Sequence, residues 1–221
     1  MPENRPSVID ARRVYDRARG PLPRLAEPFA QRARARRLQR FLRATGVDPN
    51  ARIVDIGCGE QGLLGVAPWL TVTGVDVEER PGYPGAFVRA DASERLPFAD
   101  GEFDLAYANS VIEHIPPPRR EAFAREVRRI ARGWYVQTPA IPFLIEPHAL
   151  LPAAHWLPSS ARRRYWRLGA GGDPDQIRLL RRRELEALFG PAVRERFGPL
   201  TKSWICLSRP WTAPSRPAVR T

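Results

Sequence analysis

The sequence predicts an α/β fold, a doubly wound, seven-stranded, mostly parallel sheet that ends in an antiparallel hairpin. Three observations carry this expectation. Apolar runs of strand length alternate with helical patterns, the arrangement that builds a parallel sheet covered on both faces. The first two runs each end in an acid, Asp55 and Asp76, and the glycine-rich Gly57-Cys58-Gly59-Glu60-Gln61-Gly62 follows the first. Near the end, Val193 to Phe197 and Ser203 to Leu207 flank the turn Gly198-Pro199-Leu200, which reads as a terminal hairpin.

In chain order, residues 1–24 are rich in Arg and Pro without periodicity and read as a flexible basic arm. From Leu25 to Ala44 the residues Phe29, Leu38, Phe41 and Leu42 recur at helical spacing among Arg and Gln. The run Arg32 to Arg40 is expected to be a solvated face. Gly46 and Pro49 stop this helix. Strands are expected at Arg52 to Ile56, Val72 to Val77, Ala86 to Ala90, Leu105 to Asn109 and Trp134 to Pro139, with a short helix from Gly62 to Trp69 after the first. A second helix spans Arg119 to Ala131, with Phe123, Val127 and Ile130 on one side and Gly133 after it. Residues 139–172 break the rhythm: an apolar, proline-studded stretch gives way to Arg162-Arg163-Arg164-Tyr165-Trp166-Arg167. An insert of this length at the ligand end of a sheet is expected to be functional, as a substrate-side element or a lid. A helix from Arg181 to Phe189 precedes the hairpin, and residues 209–221 form a Pro-rich tail expected to be disordered.

Composition narrows the partners. The 221 residues suit one domain with appendages, and 43% hydrophobic with 27% charged residues fits a globular chain. No apolar run reaches the roughly twenty residues of a membrane span, and Met1-Pro2-Glu3-Asn4-Arg5 lacks a secretory core, so a cytoplasmic location is expected. Cys58 and Cys206 make no disulfide framework and read as reduced and structural. The formal charge of +12 invites nucleic acid as a partner. Lys202, however, is the only lysine, which looks like a coding bias toward Arg rather than a phosphate-binding face. Nucleic acid is therefore unlikely, and an anionic membrane surface or an anionic substrate fits better. Oligomeric state is not legible.

The quoted residues resemble a known family. Val54-Asp55-Ile56-Gly57-Cys58-Gly59, Gly74-Val75-Asp76, Asp91-Ala92, the segment Leu96 to Asp104 and Asn109-Ser110-Val111-Ile112-Glu113-His114 are similar to class I S-adenosylmethionine-dependent methyltransferases of the small-molecule type. The resemblance covers about Ala51 to Thr138 and implies a Rossmann-like sheet with the C-terminal hairpin, and S-adenosyl-L-methionine as cofactor. It further implies that Asp55 and the backbone of Gly57, Cys58 and Gly59 hold the methionine part. Asp76, with Val77 beside it, would take the ribose hydroxyls, Asp91 and Ala92 the adenine, and Asn109 the sulfonium side. One departure stands out: the family places a third glycine where this chain has Gln61, and Gly62 comes one residue later. Either the loop is a residue longer or Gln61 takes a less favourable backbone angle.

Relatives that bind a divalent metal here resemble Glu-x-x-Glu-His, with a further His after the fifth strand. This chain has Ser110 in place of the first carboxylate, a loss that weakens a hard cation, so no metal is expected. Methyl transfer to an alcohol needs a proton acceptor, and His114 and His148 are the candidate bases. His155, beside Trp156, reads as packing or surface. The favoured function is O-methylation of a small-molecule, glycan or lipid-linked acceptor. The alternatives are an RNA or other nucleic-acid methyltransferase and a catalytically silent methyltransferase-like binding subunit.

Overall fold

The computed structural model describes residues 34–146, 151–169 and 174–208. The predicted basic arm, the first part of the predicted 25–44 helix, His148 and the predicted tail lie outside these residues.

The sheet follows from the alternation of side chains along its strands. It comprises β1 (Arg52–Ile56), β2 (Thr71–Asp76), β3 (Ala86–Arg89), β4 (Phe103–Asn109), β5 (Ala131–Pro139), β8 (Ala192–Phe197) and β9 (Leu200–Leu207), in the order β3-β2-β1-β4-β5-β9-β8. The first five are mutually parallel, and β9 runs antiparallel to both β5 and β8. Successive residues point to opposite faces. Val54, Ile56, Ala106, Ala108, Val136, Trp204 and Cys206 pack into one core with α2 (Arg120–Ile130) and α4 (Arg182–Phe189). Ile53, Leu105, Tyr107, Tyr135 and Ile205 fill the other with α1, the helix over residues 34–45. Phe41 of α1 is fully buried there, edge-on to Tyr107 and Tyr135 at ring-centroid distances of 4.9 and 5.3 Å. Gly46 closes α1 as expected, at φ +57° with its N–H donating to the Leu42 carbonyl at 2.9 Å.

Several boundaries differ from expectation. The helix predicted from Gly62 to Trp69 is only a single tight turn at Leu63–Gly65. Gly62 sits at φ +49°, Gly65 lies two residues past the turn's first residue and Pro68 follows, so no residue run is left to propagate a helix. Gly133 does not end α2: the chain becomes extended already at Ala131, and Gly133 lies within β5 opposite Leu105. β2 starts and ends one residue early, β3 ends at Arg89 rather than Ala90, and β4 begins two residues early, at Phe103. The hairpin turn is Gly198-Pro199, with Leu200 already in β9.

The predicted solvated face of α1 is partly wrong as well. Arg40 pairs with Glu195, a residue of β8 only 5% exposed, which also accepts from the Ser203 hydroxyl and from Gln137 Nε2 at 3.0 Å. Burial opposes ionisation of Glu195, but Ser203, Lys202 and Arg40 hold its carboxyl below the usual range. A basic residue on a helix surface thus becomes a tie to the hairpin, a contact between segments about 150 residues apart in sequence that no local pattern announces.

The 139–172 region forms its own small unit. A two-stranded ribbon of β6 (Ile145–Glu146) and β7 (Leu151–Pro152) leads into α3 (Ser159–Trp166). Ala154, Trp166 and Ile177 make a separate buried cluster. Among the described residues no helix is long and apolar enough to cross a membrane.

Candidate functional site

Between β1 and β4 the chain order of the sheet reverses, and the crevice outside the carboxyl ends of those strands is where open α/β sheets bind ligands. Here that crevice is a cavity of about 230 Å³. Its floor is Asp55, the loop from Gly57 to Gly62, and Tyr107 and Asn109 of β4; α1 roofs it with Arg34, Arg37 and Leu38.

The loop geometry resolves the departure noted in the sequence. Gly57, Gly59 and Gly62 have positive φ, and Gln61 does not, so the loop is one residue longer and Gly62 does the turning. A Cβ at Gly62 would lie 2.3 Å from Asp55 Oδ2, and one at Gly57 would lie 2.5 Å from a Val111 methyl. Only hydrogen fits at either position.

Asp55 is 2% exposed and accepts the Leu63 N–H at 2.6 Å. Burial pushes its carboxyl up to about 7; the Leu63 N–H counters this and the nearby Asp76 charge adds to it. Asp76, at the end of β2, accepts the Gly59 N–H at 2.9 Å on one oxygen. The other takes the Glu78 N–H at 3.0 Å and Arg80 at 3.1 Å. Arg80 also reaches Glu60 and Glu78, so this guanidinium knits the acid to the loop. Cys58 is free and buried, with its thiol pushed up to about 12 by burial and the two acids, so it stays protonated. Cys206 is likewise free and buried, pushed up to about 12 chiefly by burial.

The remaining predicted cofactor residues line up along the neighbouring strand ends. Val77 is exposed, and its carbonyl accepts from Arg89. Asp91 follows β3 and accepts both the N–H and the hydroxyl of Ser93, at 2.8 and 2.6 Å. Partial burial works against its ionisation, but Ser93 and Arg119 outweigh it and hold the carboxyl below the usual range. Ala92 is buried in the core beside it. Asn109 lines the cavity, and its Oδ1 is buried with no hydrogen-bond partner among the described residues. Ser110 follows at φ +57°, a strained conformation for a residue with a side chain, in direct contact with the cavity strand.

Of the candidate bases, His148 lies outside the described residues and His114 does not reach this cavity. His114 is exposed on the short turn Ile112–His114 and is not part of the cavity wall. Glu113, by contrast, is fully buried and accepts the Thr138 hydroxyl at 2.9 Å, which joins the ends of β4 and β5. Among the described residues no group of three or more His, Cys, Asp or Glu could hold a metal ion.

Arg34, Arg37, Tyr107 and Arg80 are site residues that the sequence reading missed. A signal existed for the first two, the basic stripe of α1, but its direction depends on how the helix docks. Tyr107 lies in β4 next to the predicted Asn109, and its ring stacks on Tyr135 at 5.6 Å.

The family described as "Methyltransferase domain" matches residues 54–133, from β1 to the start of β5. None of the curated proteins matches the sequence. Among solved structures, a protein of Pyrococcus horikoshii OT3 is similar with a TM-score of 0.56 and 18% identity, over 80% of this chain and 89% of that one. A Rhodobacter sphaeroides structure carrying the name of a Zn-dependent alcohol dehydrogenase is similar at 0.52 and 13%, over 79% and 89%. A 1,6-didemethyltoxoflavin N1-methyltransferase of Burkholderia thailandensis, solved with 1,6-didemethyltoxoflavin and S-adenosylhomocysteine, is similar at 0.48 and 16%, over 80% and 76%. The first two likenesses report a shared fold, and folds host unrelated chemistries. The family model adds that residues 54–133 are similar to a methyltransferase domain.

Proposed function

We propose that this protein is an S-adenosylmethionine-dependent O-methyltransferase acting on a small-molecule, glycan or lipid-linked acceptor. The observation that carries the reading is the cavity at the β1–β4 switch point of a methyltransferase domain. Gly57 and Gly62 leave no room for a Cβ, and Asn109, which lines the cavity, carries a buried Oδ1 with no partner among the described residues. When bound, the cofactor supplies a methyl group made electrophilic by a sulfonium.

The chain's own residues hold and orient. Asp55 and the backbone of Gly57, Cys58 and Gly59 take the amino-acid end, where an ammonium beside it draws the Asp55 carboxyl back to its charged form. Asp76 accepts from the ribose hydroxyls while Gly59 and Arg80 keep it in place. Asp91 and Ala92 serve the adenine, and Asn109 meets the positive sulfur side. The arginines of α1 close the cavity over the loop and restrict water, which strengthens each of these contacts. The proton of an acceptor hydroxyl goes to a base outside this cavity, for which His114 and His148 are the candidates. Contact with an anionic membrane belongs to the same proposal. Trp156 and Leu168 expose 51% and 74% of their surface on the insert, whose Arg164 and Arg167 are exposed too.

The test is a calorimetric titration with S-adenosylhomocysteine, followed by transfer of a labelled methyl group to hydroxyl-bearing and amine-bearing acceptors. Saturable binding with transfer to hydroxyls is expected. No detectable binding of S-adenosylhomocysteine by folded protein would sink the reading, and turnover confined to RNA would redirect it. Co-sedimentation with anionic but not neutral liposomes is expected of the membrane contact.

A further inference from the structure

A second and larger cavity, of about 480 Å³, lies beyond the carboxyl end of β5 and shares no wall with the first. Its volume is that of a typical small-molecule pocket. Ile141, Trp166, Ile177 and Leu179 give it an apolar side, in which Trp166 is the aromatic residue. The polar side comprises His155, Arg162, Asp175 and Arg178.

Two of these polar groups have bonding capacity left unused among the described residues. His155 Nε2 lies 2.8 Å from the Ile141 carbonyl, which can only accept, so Nε2 carries a proton and Nδ1 is the ring nitrogen left to accept. That Nδ1 is buried and has no hydrogen-bond partner among the described residues. An unmet buried acceptor is costly, and one screened from bulk water gives a hydroxyl that reaches it a partner without competition. Arg178 is the other. Its N–H donates to the Glu113 carbonyl at 2.8 Å and its own carbonyl accepts from Arg120, so the backbone is pinned. Its exposed guanidinium makes no ion pair among the described residues, whereas Arg162 is already matched to Asp175 at 3.5 Å. The Arg178–Glu113 bond also sets the cavity against the turn that follows Asn109, on the same edge of the sheet as the glycine loop.

We infer that this cavity is a second ligand site, and that its ligand is a hydroxylated ring compound bearing an acidic group. The ring lies against Trp166, the hydroxyl donates to His155 Nδ1 and the acid pairs with Arg178.

The experiment is a tryptophan-fluorescence and calorimetric titration of the full chain with phenol, benzoate and 4-hydroxybenzoate, with S-adenosylhomocysteine titrated separately. 4-Hydroxybenzoate should bind about tenfold more tightly than benzoate, the worth of one buried hydrogen bond. His155→Phe keeps the ring and should abolish that preference while leaving benzoate binding nearly unchanged; a merely structural role would weaken both ligands alike. Arg178→Ala, at an exposed side chain, should weaken both acids and spare phenol. If the wild-type protein binds S-adenosylhomocysteine but none of the three ring compounds, or binds benzoate and 4-hydroxybenzoate equally, the inference is overturned and the proposed function stands. If the ring compounds bind and S-adenosylhomocysteine does not, the site stands and the methyl-transfer reading fails.

Discussion

The two cavities are built by different means. The glycine-loop cavity is walled by the ends of parallel strands whose positions are set by ladder hydrogen bonds and by two cores of 22 and 14 buried residues. The insert cavity is walled by short turns and one two-turn helix over a cluster of three buried residues. Backbone amides and buried acids shape the first, while arginines and aromatic rings shape the second. Side chains on a lightly anchored segment can be exchanged at less cost to the fold than a loop whose backbone is fixed by strand ends.

The difference in anchoring predicts a difference in mutational cost. Phe41→Ala removes a fully buried ring held between Tyr107 and Tyr135 and should cost about 3–5 kcal/mol in denaturant unfolding. A loss below about 1 kcal/mol would mean that α1 is not part of the sheet's cooperative unit.

Asp55 provides a pH test of the first cavity. Its carboxyl is raised from 3.8 to about 7 in the folded protein, so the neutral form is the one the fold favours. Its contribution to stability is full at low pH and is lost as pH rises from about 4 to about 7, by up to about 4 kcal/mol. Asp55→Asn cannot titrate, so its stability should decline less over that window than that of the wild type. Parallel curves for the two proteins would contradict the burial argument.

Asp76→Ala should weaken S-adenosylhomocysteine binding by one to two orders of magnitude, roughly 1.5–3 kcal/mol for charge-assisted hydrogen bonds. Unchanged affinity in calorimetry would remove Asp76 from the site. The smallest effect is expected in the insert. Trp166→Ala should shift global unfolding by less than about 1 kcal/mol while making residues 151–169 much more sensitive to protease, because a local unit can open without the sheet. A global loss as large as that of Phe41→Ala would erase the contrast between the two regions.

The sheet and the glycine loop were legible because their signals are local. A run of β-branched and small residues ending in Asp55 or Asp76 reads as a buried parallel strand wherever it docks, and steric exclusion at Gly62, by Asp55 and Cys58, acts within a few residues of chain. The same locality explains the errors. Gly62 to Trp69 carried helix formers such as Leu63 and Leu64, but Gly62, Gly65 and Pro68 left only one turn. At Gly133, a residue that commonly ends helices proved to be a strand position, decided by pairing with Leu105.

By itself, the sequence determined the strand order's raw material, the acids at the strand ends and the turn chemistry of the loop, all properties of residues close in the chain. Tertiary structure alone decided that Arg34 and Arg37 face the cavity and that Arg40 ties α1 to Glu195. It also brought His155, Trp166 and Arg178 around one cavity. The arginine contacts join segments far apart in sequence, and the geometry of all of these is set by how helices and turns pack, a choice that periodicity and composition do not encode.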